Sequence, residues 1–131
     1  MDVEAELSRV IINETSDQQI VVLKERNGKR NFPIVIGINE VFAIDRRLKG
    51  IKLPRPMTHD LVDNIIKGLG AKIEKIVIND LRNHTFYAKI YLGLNNKTVE
   101  IDSRPSDALA IAVATGTAIY VAEHVFELAS Q

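Results

Sequence analysis

Arg104-Pro105-Ser106-Asp107-Ala108-Leu109-Ala110-Ile111-Ala112-Val113 joins a charged, proline-containing start to a strongly apolar run. Ser106 can cap a helix and Gly116 can end it. With so few polar positions between them, that helix is expected to be buried on most of its faces. The residues before it change period. Thr85 to Leu94 set Phe86, Ala88, Ile90 and Leu92 at every second position, and Thr98 to Ile101 follow the turn-forming pair Asn95-Asn96. Ala71 to Asp80, with Ile73, Ile76, Val77 and Ile78, precedes them as another strand. Beyond the helix, Ala118 to Val121 is a short strand-like run and Glu123 to Ala129 a short terminal helix.

The first half shows the same succession. Leu7 to Ile12 and Gln19 to Glu25 are rich in β-branched residues, and Asn31 to Ile36 returns after Asn27-Gly28, a pair suited to the positive φ angles of a tight hairpin. Pro33 marks that third strand as an edge or a strand end. Val41, Phe42, Ala43, Ile44 and Leu48 then recur at helical spacing, with Arg46, Arg47 and Lys49 near the C-terminal end and Gly50 as the stop. Thr58 is a suitable N-cap for a second helix carrying Leu61, Val62, Ile65, Ile66 and Leu69, closed by Gly70. The expectation is one α+β domain over 1–131. It has two β-β-β-α-α halves, roughly 1–70 and 71–131, and a mixed or antiparallel sheet with helices packed against it. Glu40-Val41-Phe42-Ala43-Ile44 answers Asp107-Ala108-Leu109-Ala110-Ile111 at an offset of about 67 residues, which suggests an internal duplication with a pseudo-two-fold axis.

Composition narrows the function classes. Lys plus Arg and Asp plus Glu stand at 17 each in 131 residues, so any polyanion site must be local. Cysteine is absent, which excludes disulfides, thiolate metal sites and cysteine nucleophiles. The acidic opening Met1-Asp2-Val3-Glu4-Ala5-Glu6 is unlike a signal peptide, and no apolar run reaches the roughly 18 residues of a membrane span. A soluble, cytoplasmic protein without a membrane anchor is expected.

Two Arg-Pro segments concentrate the chemistry. Arg55-Pro56-Met57-Thr58-His59-Asp60 brings a cation, a hydroxyl, an imidazole and a carboxylate to one helix start, where free N–H groups and the helix dipole favour anions. Arg55 can grip a phosphate, His59 can move protons near neutral pH, and Asp60 can orient that imidazole or bind a metal. Ordinary helix-start preferences also account for Thr58 and Asp60. Asp102-Ser103-Arg104-Pro105-Ser106-Asp107 sets two carboxylates around an arginine at a strand-to-helix junction, a pattern able to hold Mg²⁺ or Mn²⁺ through oxygen ligands. Its structural alternative has Asp107 complementing the dipole and Asp102 clamping Arg104. Glu40 joins the candidates through the duplication. His84 and His124 have no partner at local spacing, and Arg46-Arg47-Lys49 reads as solvated surface unless it borders the site. Glycine-rich phosphate loops, nucleophile-elbow serines, paired zinc-ligand histidines and RNA-recognition aromatic motifs are absent, and 5% aromatic residues leave few base-stacking platforms.

These two segments, with Ile36-Gly37-Ile38-Asn39-Glu40, resemble the bifunctional nuclease domain family over nearly the whole chain. The resemblance implies an α+β fold of its own type and activity on DNA and RNA in some members. Its pattern falls on Glu40, on Arg55, Thr58, His59 and Asp60, and on Asp102, Arg104, Ser106 and Asp107; Met57 stands where a small or polar residue is expected. The resulting expectation is a phosphodiesterase acting on DNA or RNA without sequence specificity. Glu40, Asp102 and Asp107 would hold Mg²⁺ or Mn²⁺, and Arg55 and Arg104, with Thr58 and Ser106, would bind substrate. His59, steadied by Asp60, would act as general acid or base, with Glu40 and Asp107 completing the catalytic set. The alternative is a noncatalytic binding or assembly module whose Arg-Pro motifs are ion-pair networks. A homodimer or higher homo-oligomer is compatible with both.

Overall fold

The structure is a computed structural model that describes residues 1–130. One seven-stranded sheet runs in the order β3-β2-β1-β7-β4-β5-β6. The elements are β1 (Asp2–Ile11), β2 (Gln19–Glu25), β3 (Asn31–Ile36), α1 (Ile38–Leu48), α2 (Thr58–Gly68), β4 (Lys72–Arg82), β5 (Thr85–Leu94), β6 (Lys97–Ser103), α3 (Pro105–Thr115), β7 (Ile119–Ala122) and α4 (Glu123–Ala129). Neighbouring strands are antiparallel except β4 and β7, which are parallel. The mixed α+β class is therefore as expected. The second half, however, runs β-β-β-α-β-α, because β7 inserts between β1 and β4, and the halves do not repeat element for element.

Period-two patterning explains the strands. In β3, Phe32, Ile34 and Ile36 are buried while Asn31, Pro33 and Val35 are exposed. They stand opposite Leu23, Val21 and Gln19 of β2, which are also buried. Phe32 stacks on Phe86 of β5 at 5.4 Å and meets Phe126 of α4 edge-on at 5.2 Å. Four strands separate β3 from β5 in the sheet order, so the sheet curls until its flanks meet around these rings. The helix layer centres on α3, which packs on β4 and β5 and touches both α1 and α2. Ala108 to Ala112 are all buried, as the apolar run requires. No helix among the described residues is long and apolar enough to cross a membrane.

Several local expectations are corrected. β1 begins at Asp2 rather than Leu7, because Asp2 to Ala5 pair with β7 from the far end of the chain. Asn83-His84 and Asn95-Asn96 adopt positive φ and make two-residue turns, but Asn27 and Gly28 do not. That hairpin instead spans the longer loop 26–29, held where the Glu25 side chain accepts from the Arg30 N–H at 3.1 Å. Helix caps shift by one or two residues. Met57 rather than Thr58 occupies the N-cap of α2, and its N–H donates to Asp60 Oδ2 at 2.9 Å. Arg104 rather than Ser106 occupies the N-cap of α3, because Pro105 takes the first helical position, where its missing N–H costs nothing.

Candidate active site

The N-terminal ends of α1, α2 and α3 converge, and each contributes a polar side chain to one groove. α1 opens at Gly37, whose missing Cβ lets the Glu40 carboxylate fold back against the backbone; a methyl group there would collide with Glu40 Oε2. α2 presents His59 in its first turn, and α3 supplies Arg104 as N-cap and Asp107 one turn later.

Asp107 is the hub. Its Oδ1 lies 3.0 Å from His59 Nε2, and the Arg104 fork donates through Nε to Oδ2 at 2.9 Å and through Nη2 to Oδ1 at 3.2 Å. The same Nη2 reaches Glu40 Oε1 at 3.4 Å. Glu40, Arg104, Asp107 and His59 therefore form one continuous chain of charged contacts. Partial burial pushes the Asp107 carboxyl up, but hydrogen bonds from His59 and Arg104, with their charges, outweigh it and hold the group below the ordinary carboxylate range. Asp107 thus stays an anion, so His59 Nε2 is the natural donor to it and Nδ1 is left as the ring atom able to accept a proton. His59 is 17% exposed in its side chain, while the Arg104 guanidinium on the rim is 67% exposed.

The groove measures about 430 Å³ and is lined by Asn39, Phe42, Arg46 and Thr58 in addition to these four residues. Such a volume accommodates a small organic unit the size of a nucleotide. Arg104 also borders a second hollow of about 490 Å³ on its other side.

Four nominated residues thus meet, Glu40, His59, Arg104 and Asp107, and Thr58 lines the same groove. The others do not join them. Asp60 does not steady His59: its carboxylate caps Met57, and Asp107 takes the orienting place from a different helix. Arg55 is exposed in the loop before α2. Asp102 is exposed on β6 opposite Lys89, and Ser106 is buried and lines the second hollow. Among the described residues no three His, Asp or Glu side chains group closely enough to hold a metal ion. The expected Glu40, Asp102 and Asp107 cage is not assembled, and the two carboxylates that do approach share Arg104 as counter-ion. Asn39, Phe42 and Arg46 were not nominated as site residues. Their spacing at i, i+3 and i+7 on α1 was the available signal, since it puts them on one helix face beside Glu40.

An α+β domain that gathers an imidazole, its carboxylate partner and two guanidiniums around an open groove defines a class of protein able to bind an anion and move a proton beside it. This chain belongs to the bifunctional nuclease domain family, whose sequence profile matches residues 21–131. An uncharacterised protein of Mycobacterium tuberculosis is 38% identical over 122 residues, which cover 93% of this chain and 73% of that one. Bifunctional nuclease 1 of Oryza sativa subsp. japonica is 25% identical over 105 residues, 77% of this chain but 32% of the rice protein. Bifunctional nuclease 2 of the same plant is 26% identical over 106 residues, 78% of this chain and 33% of its own length.

Proposed function

We propose that the chain hydrolyses phosphodiester bonds of nucleic acid in the groove between α1, α2 and α3. The observation that carries this reading is the contact of His59 with Asp107, braced by Arg104 and opening on a nucleotide-sized groove. Arg104 and Arg46 attract the phosphate, and Glu40 keeps the Arg104 fork at the groove. His59 takes a proton from water through Nδ1 as the water oxygen bonds to phosphorus. The P–O bond to the leaving nucleoside oxygen breaks, and that oxygen takes a proton from solvent. Asp107 fixes the ring tautomer and stabilises the imidazolium that forms. The groups given a role here, Arg104 and Arg46, act on phosphate, which suits cleavage of DNA or RNA without sequence specificity.

The test is cleavage of labelled single- and double-stranded DNA and RNA by the purified chain, with Mg²⁺, with Mn²⁺ and with chelator. Cleavage that disappears in His59→Ala, with the melting temperature kept, is the expected result. Equal cleavage by His59→Ala assigns the activity to a contaminant and ends the proposal. The alternative of a noncatalytic module draws on the same network, because Arg104 and His59 together satisfy Asp107 without any ligand. It is favoured if the wild-type chain cleaves nothing and Arg104→Ala melts far below it.

A further inference from the structure

The two edges of the sheet differ. β3 carries Pro33, whereas β6 has no proline; both pair with their inner neighbour without a register shift. Natural sheets normally blunt an edge with proline, a bulge, a short strand or charged side chains; β6 has only the last, and its charges, Lys97, Glu100 and Asp102, are mixed in sign. Its core-side positions are also left open. Val99 and Ile101 stand opposite Leu92 and Ile90 of β5, yet Val99 is 37% and Ile101 41% exposed, while Ile90 is buried. The helix packed over this part of the sheet, α3, reaches β4 and β5.

We infer that β6 pairs antiparallel with β6 of a second copy of this chain. The choice of a second copy rests on the self-complementarity of the strand. A two-fold axis through Glu100 sets Val99 opposite the other copy's Ile101 twice, Thr98 opposite Asp102 twice, and Lys97 opposite Ser103 twice. Each of these pairings is compatible, apolar with apolar or hydroxyl with a charged group. Counted from the two-residue turn at Asn95-Asn96, Lys97, Val99, Ile101 and Ser103 bond to β5, so the N–H and C=O groups of Thr98, Glu100 and Asp102 face outward. This register joins those groups in pairs. Its adverse contacts are Glu100 with itself and, diagonally, with the other copy's Asp102, and each copy brings Lys89, whose Nζ lies 3.3 Å from its own Glu100 Oε2, to offset them.

The experiment uses the full chain and is independent of any nuclease activity. Sedimentation equilibrium across a concentration series should show monomer and dimer. Hydrogen exchange should slow at the amides of Thr98, Glu100 and Asp102 as the dimer fills. Ile101→Lys, a change at an exposed position, should weaken the dimer by at least about tenfold at an unchanged melting temperature of the monomer. Glu100→Gln should tighten it severalfold by removing the like-charge contact. A chain that stays monomeric at every concentration overturns the inference and leaves the edge to a strand of another protein. A dimer that survives Ile101→Lys with those three amides unprotected overturns it as well, by placing the interface elsewhere.

Discussion

The chain builds the same trio of side chains twice. His59, Asp107 and Arg104 meet at the helix ends, and His124, Asp80 and Arg82 meet across α4 and β4. In the second cluster His124 Nε2 lies 3.2 Å from Asp80 Oδ1 and Arg82 Nε donates to Asp80 Oδ2 at 2.6 Å. Both carboxylates take a histidine Nε2 on Oδ1 and an arginine Nε on Oδ2, but Arg104 adds a second bond to Asp107 through Nη2, where Asp80 takes the Leu81 N–H instead. Their surroundings differ more: the His124 side chain is 53% exposed against 17% for His59, and Arg82 lies over the Tyr87 ring at 4.7 Å rather than beside a further carboxylate. In water a histidine beside an aspartate is one more solvated pair. Walled by α1 and α3, with Arg46 and Glu40 at hand, the same pair opens on a groove of about 430 Å³. Residue types nominate a site; the enclosure around them decides whether it can act.

Removal of each imidazole in turn should separate the two clusters most widely. His59→Ala should lower kcat/KM for oligonucleotide cleavage by about 10²- to 10⁴-fold, the usual worth of a positioned proton-transfer group. His124→Ala should leave the rate unchanged. A loss of activity in His124→Ala of the same size would place the chemistry at the wrong cluster. Asp107→Asn follows at a smaller scale. It keeps shape and burial but withdraws the negative partner, and a fall in kcat of about 10² or more at nearly constant KM is expected where the ring tautomer is the function of that carboxylate. Asp80→Asn should leave kcat alone.

Gly37→Ala tests the brace behind the groove. Its φ of −78° suits alanine, so no backbone strain arises, but the added methyl group displaces the Glu40 carboxylate. Arg104 then loses one of its two anionic partners. A rise in KM of roughly threefold to tenfold with kcat nearly kept is the expected split, because Glu40 orders a binding group and touches no reacting atom. An equal loss in kcat would give Glu40 a direct part in the chemistry.

Much of this was legible in the sequence, and the misses share a cause. Strands whose inward positions are filled locally, such as Phe32, Ile34 and Ile36 in β3, announced themselves by alternation. The start of β1 did not, since Val3 and Ala5 are spaced among acids and are held by β7, more than a hundred residues away. The caps of α2 and α3 were misassigned because Thr58 and Ser106 are good capping residues in isolation, whereas Pro105 fixes the first helical position and with it the cap at Arg104. At the site, Glu40, His59, Arg104 and Asp107 were nominated and do converge. The pairing of His59 was not legible: Asp60 is its neighbour in the chain, but Asp107 reaches it across 48 positions, and only packing of α2 on α3 brings them together.

The smallest expected effect separates the clusters by acid titration. Hydrogen bonds from Arg82 and then His124, with the Leu81 N–H, lower the Asp80 carboxyl to about 2. A carboxyl lowered on folding lends stability that is fully present above its unfolded value near 3.8, shrinks as the pH falls from there toward 2, and is gone below that. Asp107 is lowered as well; burial opposes the shift in both carboxyls but is the largest contribution at Asp107, whose stabilisation likewise fades as the pH falls through its folded value. The two differ in what removal of the histidine does. Without His124, Arg82 still holds Asp80, and carbon-detected NMR should show that carboxyl titrating only slightly higher. Without His59, Asp107 keeps Arg104 but stays partly buried, and its titration should move up further. Equal displacements in the two variants would mean that the groove encloses Asp107 no more than α4 and β4 enclose Asp80, and the contrast on which the assignment of the active cluster depends would be lost.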